Sequence, residues 1–149
     1  MRSRKSRGSV ITEFALGSAL LFTLLTGTFQ FGYTFYQYNH LHSAVRSAAL
    51  YASLRSYDSP SQAPSPAFRD AVRNMAVFGS PVPEPGRPPV APGLSAENVD
   101  VRVTFQNQLP VSVTVSIVDY PITGLFKTYT FHNSPRITFR YLGRFAGGG

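Results

Sequence analysis

The chain has 149 residues, with 14 Lys and Arg against 7 Asp and Glu for a formal charge of +7, and it has no cysteine. Without cysteine, neither a disulfide framework nor a thiolate metal site can be built. Arg2, Arg4, Lys5 and Arg7 precede a long apolar run, and without them the balance is ten basic against seven acidic residues; the excess charge therefore reads as a membrane flank and not as a nucleic-acid surface, for which no groove-like pattern of basic and aromatic residues exists.

Residues 1–8 read as a basic leader with no fold of its own. Gly8 closes it, either as a flexible joint before a helix or as a peptide bond held open to a protease at the membrane surface. After Glu13 no Asp, Glu, Lys or Arg occurs until Arg46, and Val10 to Phe29 is mostly apolar. Such a run satisfies the roughly 20 apolar residues that a helix needs to cross a bilayer. Strand alternation is absent, so a helix is the conformation that satisfies its backbone in lipid. The predicted span covers about 10–34 inside a helix over 9–57. Glu13 is costly there unless it has a partner, a headgroup position or a function.

The apolar stretch is too long for a cleaved secretory signal, although Ser43, Ala44, Ser47, Ala48 and Ala49 supply small residues after it. The basic leader predicts a cytoplasmic N-terminus, with the C-terminal domain outside the membrane. Ala15, Ala19, Thr23 and Gly27 recur every fourth residue and put small side chains along one face, which suits the close approach of another helix. Phe29, Phe31, Tyr33, Phe35, Tyr36 and Tyr38 form an aromatic belt suited to the outer interface.

Helical spacing continues through Leu41, Ala44, Val45, Ala48 and Ala52. A continuous helix over Ser9–Ser56 would extend about 72 Å at 1.5 Å per residue. His40 and His42, two apart, do not share a helix face and are read as surface residues, not as a metal pair. Residues 58–97 form a Pro-rich linker containing a short amphipathic helix over 67–78. Gly79 to Gly93 reads as an extended polar loop. From Asn98 the period becomes two: Val99, Val101, Val103 and Phe105, then after a turn at Asn107–Pro110, Val111, Val113, Val115 and Ile117. Phe126 to His132 and Ile137 to Tyr141 offer one or two further strands. An antiparallel sheet of three or four strands over 98–142 is expected, covered by the outer half of the long helix and by the short helix, with a flexible tail over 143–149. The fold class is α+β, a long N-terminal transmembrane helix extending into a small antiparallel β-sheet domain.

No Ser/His/Asp, Cys/His, paired-carboxylate or phosphate-loop constellation occurs at motif spacing, and Asp58, Asp70, Glu84, Glu97, Asp100 and Asp119 are scattered. No enzyme, cofactor or metal site is expected.

Arg7-Gly8-Ser9, Glu13-Phe14-Ala15, the apolar helix, and Val111-Ser112-Val113-Thr114-Val115 followed by Tyr120-Pro121 resemble the TadE/TadG-like family, pilin-like proteins of tight-adherence pilus systems. The resemblance implies a type IV prepilin-like N-terminus, cut between Gly8 and Ser9 by a membrane prepilin peptidase. Glu13 would then be the fifth residue of the mature chain and, with Phe14, would support assembly. The partners implied are that peptidase, other pilin-like subunits, the pilus assembly machinery and the bilayer. The function expected is that of a minor pilin or pseudopilin in the bacterial cytoplasmic membrane. The alternative is a single-pass anchored extracytoplasmic binding domain that does not polymerise.

Overall fold

The computed structural model describes residues 5–59, 62–124 and 128–144. It divides into two units, Met1–Phe35 and Tyr36–Gly149, and one helix, α1 (Lys5–Leu54), supplies residues to both. Met1 to Arg4, half of the expected leader, lie outside the described residues, and helix α1 already includes Gly8.

In the first unit α1 is apolar on all sides. Phe14, Leu16, Leu20, Leu21, Leu24 and Leu25 are each more than half exposed. The hydroxyls of Thr12, Thr23, Thr26 and Thr28 donate to the carbonyls of Gly8, Ala19, Phe22 and Leu24, at 2.7–2.9 Å. Each polar side chain thereby satisfies itself within the helix, which removes much of its cost in an apolar solvent.

In the second unit the helix becomes amphipathic. Gln37, Leu41, Ala44, Val45, Ala48, Ala49 and Ala52 are buried, while Arg46, Ser47 and Leu50 face out. Helix α1 ends at Leu54 without a local glycine cap. Its terminal carbonyls are taken from across the sequence instead, since the Leu142 and Gly143 amides both donate to Ser53 O at 2.8 Å. Tyr57 N donates to Arg144 O at 2.9 Å. Residues 143 and 144, expected in a free tail, are thus tied to the end of α1, and residues 145–149 lie outside the described residues.

Helix α2 (Pro66–Phe78) is bounded by local chemistry. Ser65 accepts from Phe68 N as N-cap, Pro66 takes the first helical position where its missing N–H costs nothing, and Gly79 adopts φ +68° as the left-handed terminator. Its buried face is Phe68, Ala71, Val72, Ala76 and Val77.

Strands β1 (Val99–Gln106) and β2 (Leu109–Ile117) form a hairpin. Its turn is only Asn107–Gln108, both at positive φ (51° and 64°). That geometry matches the right-handed twist of the flanking strands and returns Leu109 and Pro110, expected in the turn, to β2. The remaining strands are β3 (Tyr120–Thr123), β4 (Thr128–Phe131) and β5 (Arg136–Arg140). The expected single sheet is two: an antiparallel sheet of order β1-β2-β5 and a separate β3-β4 ribbon. Asp119, at φ +49°, turns the chain out of β2, and Pro121 in β3 has no amide to offer a ladder. Of the strand expected from Phe126, residues 125–127 lie outside the described residues.

The register puts Val101, Val115 and Ile137 in one row and Val103, Val113 and Phe139 in the next. This apolar face belongs to the same core cluster as Leu41, Val45, Phe68 and Val72. Tyr57 sits within it, with tilted edge contacts to Phe68, Phe105 and Tyr141 at ring separations of 5.9, 5.5 and 6.4 Å. The opposite, polar face is less wet than strand alternation predicts. Thr114 and Ser116 on the central strand are buried, and Thr114 shares a 2.8 Å hydrogen bond with Thr138. The loop from Gly79 to Gly93 is also pinned: Val90 N donates to Val77 O, the Tyr120 hydroxyl donates to Pro92 O at 2.6 Å, and Ala91 is buried.

Candidate functional site at the N-terminal helix

Gly8 and Ser9 lie near the start of α1, both exposed, and the Gly8 carbonyl accepts from the Thr12 hydroxyl at 2.9 Å. The first turn of a helix lacks intrahelical acceptors for its amides, and glycine weakens a helix interior by about 1 kcal/mol, so this peptide bond sits where the helix opens most cheaply. Glu13 follows about one turn after Ser9. It is exposed, and no ion pair of Glu13 exists among the described residues. Phe14 beside it is 77% exposed, an unusual position for an aromatic ring unless lipid or another chain covers it.

Ala15, Ala19, Thr23 and Gly27 are all exposed. At 100° per residue, a four-residue step drifts by about 40°, so they spread over an arc instead of forming a straight line. A β-carbon added at Gly8, Gly17, Gly27 or Gly32 would meet nothing within 4 Å. These glycines answer no packing need within their own chain.

Polar residues inside the apolar run add a feature that a search for small residues misses. Gln30 Nε2 reaches Thr34 Oγ1 at 3.4 Å, and the Thr34 hydroxyl donates to Gln30 O at 3.0 Å. Both are half-buried, as is Thr26. Thr26, Gln30 and Thr34 recur every fourth residue, and that repeat of hydrogen-bonding types among apolar neighbours was the available signal.

Elsewhere the chemistry is sparse. Among the described residues no group of three or more His, Cys, Asp or Glu is placed to hold a metal. The His40 ring lies tilted against Tyr36 at 4.4 Å and His42 lies 6.4 Å from Tyr38, each beside the ring one turn before it. His132 Nδ1 lies 2.9 Å from Asp119 Oδ1, a pairing the sequence spacing hid, but both side chains are about three-quarters exposed. A groove of about 270 Å³ runs between His40, Ser43 and Ser47 on α1 and Met75, Gly79 and Val90. Among the described residues, His40 is its one titratable lining group. Among the described residues the buried titratable groups are tyrosines: burial pushes the Tyr57 phenol up, and burial, with the nearby Asp58 and Tyr57, pushes Tyr141 up to about 12.

Helix α1 is long and apolar enough to cross a membrane and is a candidate span near the N-terminus. No curated protein and no solved structure matches the chain. The model of one family, described as TadE-like protein, matches residues 8–50. The match takes in Gly8, Ser9, Glu13, Phe14 and the small-residue positions, and it stops short of Val111–Val115 and Tyr120-Pro121. Over residues 8–50 the chain is similar to the TadE-like family that its sequence resembles.

Proposed function

We propose that the chain is a membrane-anchored minor pilin or pseudopilin that takes part in assembling a tight-adherence pilus, not an enzyme. The observation that carries this reading is the apolar, unburied half of α1 within the matched segment 8–50. Four glycines there have open space in place of a side chain. Each costs a helix about 1 kcal/mol relative to alanine, and close approach of a neighbouring helix would offset that cost.

Cleavage between Gly8 and Ser9 by a prepilin peptidase would remove every basic residue before the span and leave an amine at Ser9, four residues before Glu13. A positive amine at a helix N-terminus has the same sign as the helix dipole there. The Glu13 carboxylate of an adjacent mature chain would offset that repulsion and its own desolvation together. Phe14, exposed beside it, would pack between helices.

The test co-expresses the chain with its cognate peptidase and pilus subunits. Gly8→Leu should leave the uncut mass in mass spectrometry. Glu13→Ala should be cut yet fail to co-purify with sheared filaments or partner pilins. An intact Met1-to-Gly149 chain beside an active peptidase would overturn processing. Normal incorporation of Glu13→Ala would overturn the charge pair, and absence of the unsubstituted chain from every pilin complex would favour an anchored domain that does not polymerise.

A further inference from the structure

We propose that the polar face of the β1-β2-β5 sheet binds a linear anionic polysaccharide, one carrying carboxylate or sulfate groups along its length. The outward positions of the three strands lie in register as three rows, Asp100–Ser116–Arg136, Arg102–Thr114–Thr138 and Thr104–Ser112–Arg140. None is apolar or aromatic. Three carry guanidinium groups and five carry hydroxyls around a single carboxylate.

That carboxylate is already engaged, because Asp100 Oδ2 accepts from Arg102 Nε at 2.6 Å. Arg136 and Arg140 are exposed, and neither has an acidic partner among the described residues. The bond to Arg102 uses Nε, and its side chain is 69% exposed, so its terminal nitrogens stay available to a ligand. Three cations thus stand beside the hydroxyls of Thr104, Ser112 and Thr138, while Thr114 and Ser116 are buried on the central strand, and two of the cations are close to no counter-charge.

The spacing selects the class of ligand. Arg136 and Arg140 are separated along their strand by about 13 Å, and β1 lies about 10 Å from β5 across β2. A flat face with cations a nanometre apart offers no enclosed pocket to a small anion, but it engages several charges of one polymer together, so modest contacts add. Guanidinium groups bind carboxylate and sulfate through paired N–H donors. Ser112, Thr104 and Thr138 between them can give and accept hydrogen bonds with sugar hydroxyls. Single-stranded nucleic acid is a poor fit, since the face has no ring on which a base could stack. A bilayer is also a poor fit, since the three rows carry no apolar side chain and the neighbouring Gln106–Leu109 pair offers a single exposed leucine to the interface.

The test uses the full chain in nanodiscs of zwitterionic lipid, titrated with polygalacturonate and with dextran sulfate, with neutral dextran as the control. At least one charged polymer should bind, weaken with added salt, and lose roughly thirtyfold in affinity when Arg136→Gln and Arg140→Gln are combined. The pair Arg46→Gln and Arg87→Gln, which removes the same charge away from this face, should bind as the unsubstituted chain does. Equal weakening by both pairs would show bulk charge and overturn the proposal. Failure of both polymers to bind would also overturn it. So would binding of vesicles rich in anionic phospholipid as tight as that of the polymers with the same dependence on Arg136 and Arg140, since the surface would then be a lipid-headgroup site. Detecting the expected polymer binding does not require the helix to assemble into a filament.

Discussion

The Tyr141 hydroxyl donates a 2.5 Å hydrogen bond to the backbone carbonyl of Arg55, 86 residues earlier, where α1 has just ended. The bond closes the second unit. It joins the residue after β5 to the exit of α1, in the same place where Leu142 and Gly143 cap Ser53. The Tyr141 ring also packs on Tyr57 in the core.

Tyr141→Phe should therefore cost about 1–2 kcal/mol at neutral pH, because it keeps the ring but leaves the Arg55 carbonyl without its donor. The pH dependence follows from the raised phenol pKa. Its folded value is pushed from 10.0 to about 12. The neutral form is therefore favoured by the folded state, and this contribution is complete below pH 10 and lost as pH rises toward 12. Denaturant unfolding at a series of alkaline pH values should show the gap between the two proteins narrowing through that window. A constant gap would show that the hydroxyl does not couple folding to protons.

Gly143→Ala should be worse than a surface glycine substitution. A β-carbon there would collide with the Arg55 backbone oxygen and with the hydroxyl end of the Tyr141 ring. A backbone oxygen held between a helix end and a strand end cannot move away cheaply, so a loss of about 1–3 kcal/mol is expected, as for overpacking. Gly86→Ala is the comparison: it has open space but positive φ (83°), so its cost comes from backbone strain alone. Thermal melts showing no loss for Gly143→Ala would mean the chain end can swing clear of Arg55.

The two faces of β2 give a third prediction. Val113 is fully buried against the core, whereas Ser112 is half-buried on the polar face with Arg140 beside it in register. Val113→Asp should cost about 3–5 kcal/mol by placing an unpaired charge in the core. Ser112→Asp should stay within about 1 kcal/mol, since the neighbouring guanidinium offers a partner. Urea midpoints measured on the same preparation would separate them; equal losses would mean the strand faces are reversed.

What the sequence reveals depends on whether the signal is local. The apolar helix is legible because no charge interrupts the stretch between Glu13 and Arg46, and α2 because Ser65-Pro66 and Gly79 punctuate it. Val99–Phe105 and Val111–Ile117 alternate clearly enough to give the hairpin. The sequence places the turn over Asn107–Pro110, two residues too long: type I′ geometry needs only two residues, and Gln108 is not a residue that advertises positive φ. The division into a sheet and a ribbon, the burial of Thr114 and Ser116, and the closure of α1 by Tyr141 to Arg144 depend on contacts between distant residues, for which strand period carries no information. Along the N-terminal helix, Gly8, Glu13 and the small-residue positions stand out one by one in the sequence. The repeat of Thr26, Gln30 and Thr34 was hidden because each interruption looks minor in a run read for hydrophobicity.

Topology gives the last prediction, argued from charge. Arg2, Arg4, Lys5 and Arg7 lie within a few residues of the apolar run, whereas its far side has no basic residue before Arg46. Short flanking segments rich in Lys and Arg are retained in the cytoplasm, so the second unit should be extracytoplasmic. Its aromatic residues Tyr36 and Tyr38, one turn before His40 and His42, would follow the outer interface. Protease added to intact spheroplasts should remove an epitope tag placed at Gly149 while sparing a cytoplasmic marker. Moving the charge should move the domain: Arg2→Gln, Arg4→Gln, Lys5→Gln and Arg7→Gln together should lower the fraction of tag that is digested. If the tag is protected until the membrane is lysed, the orientation is reversed and α1 must be anchored by something other than its basic flank.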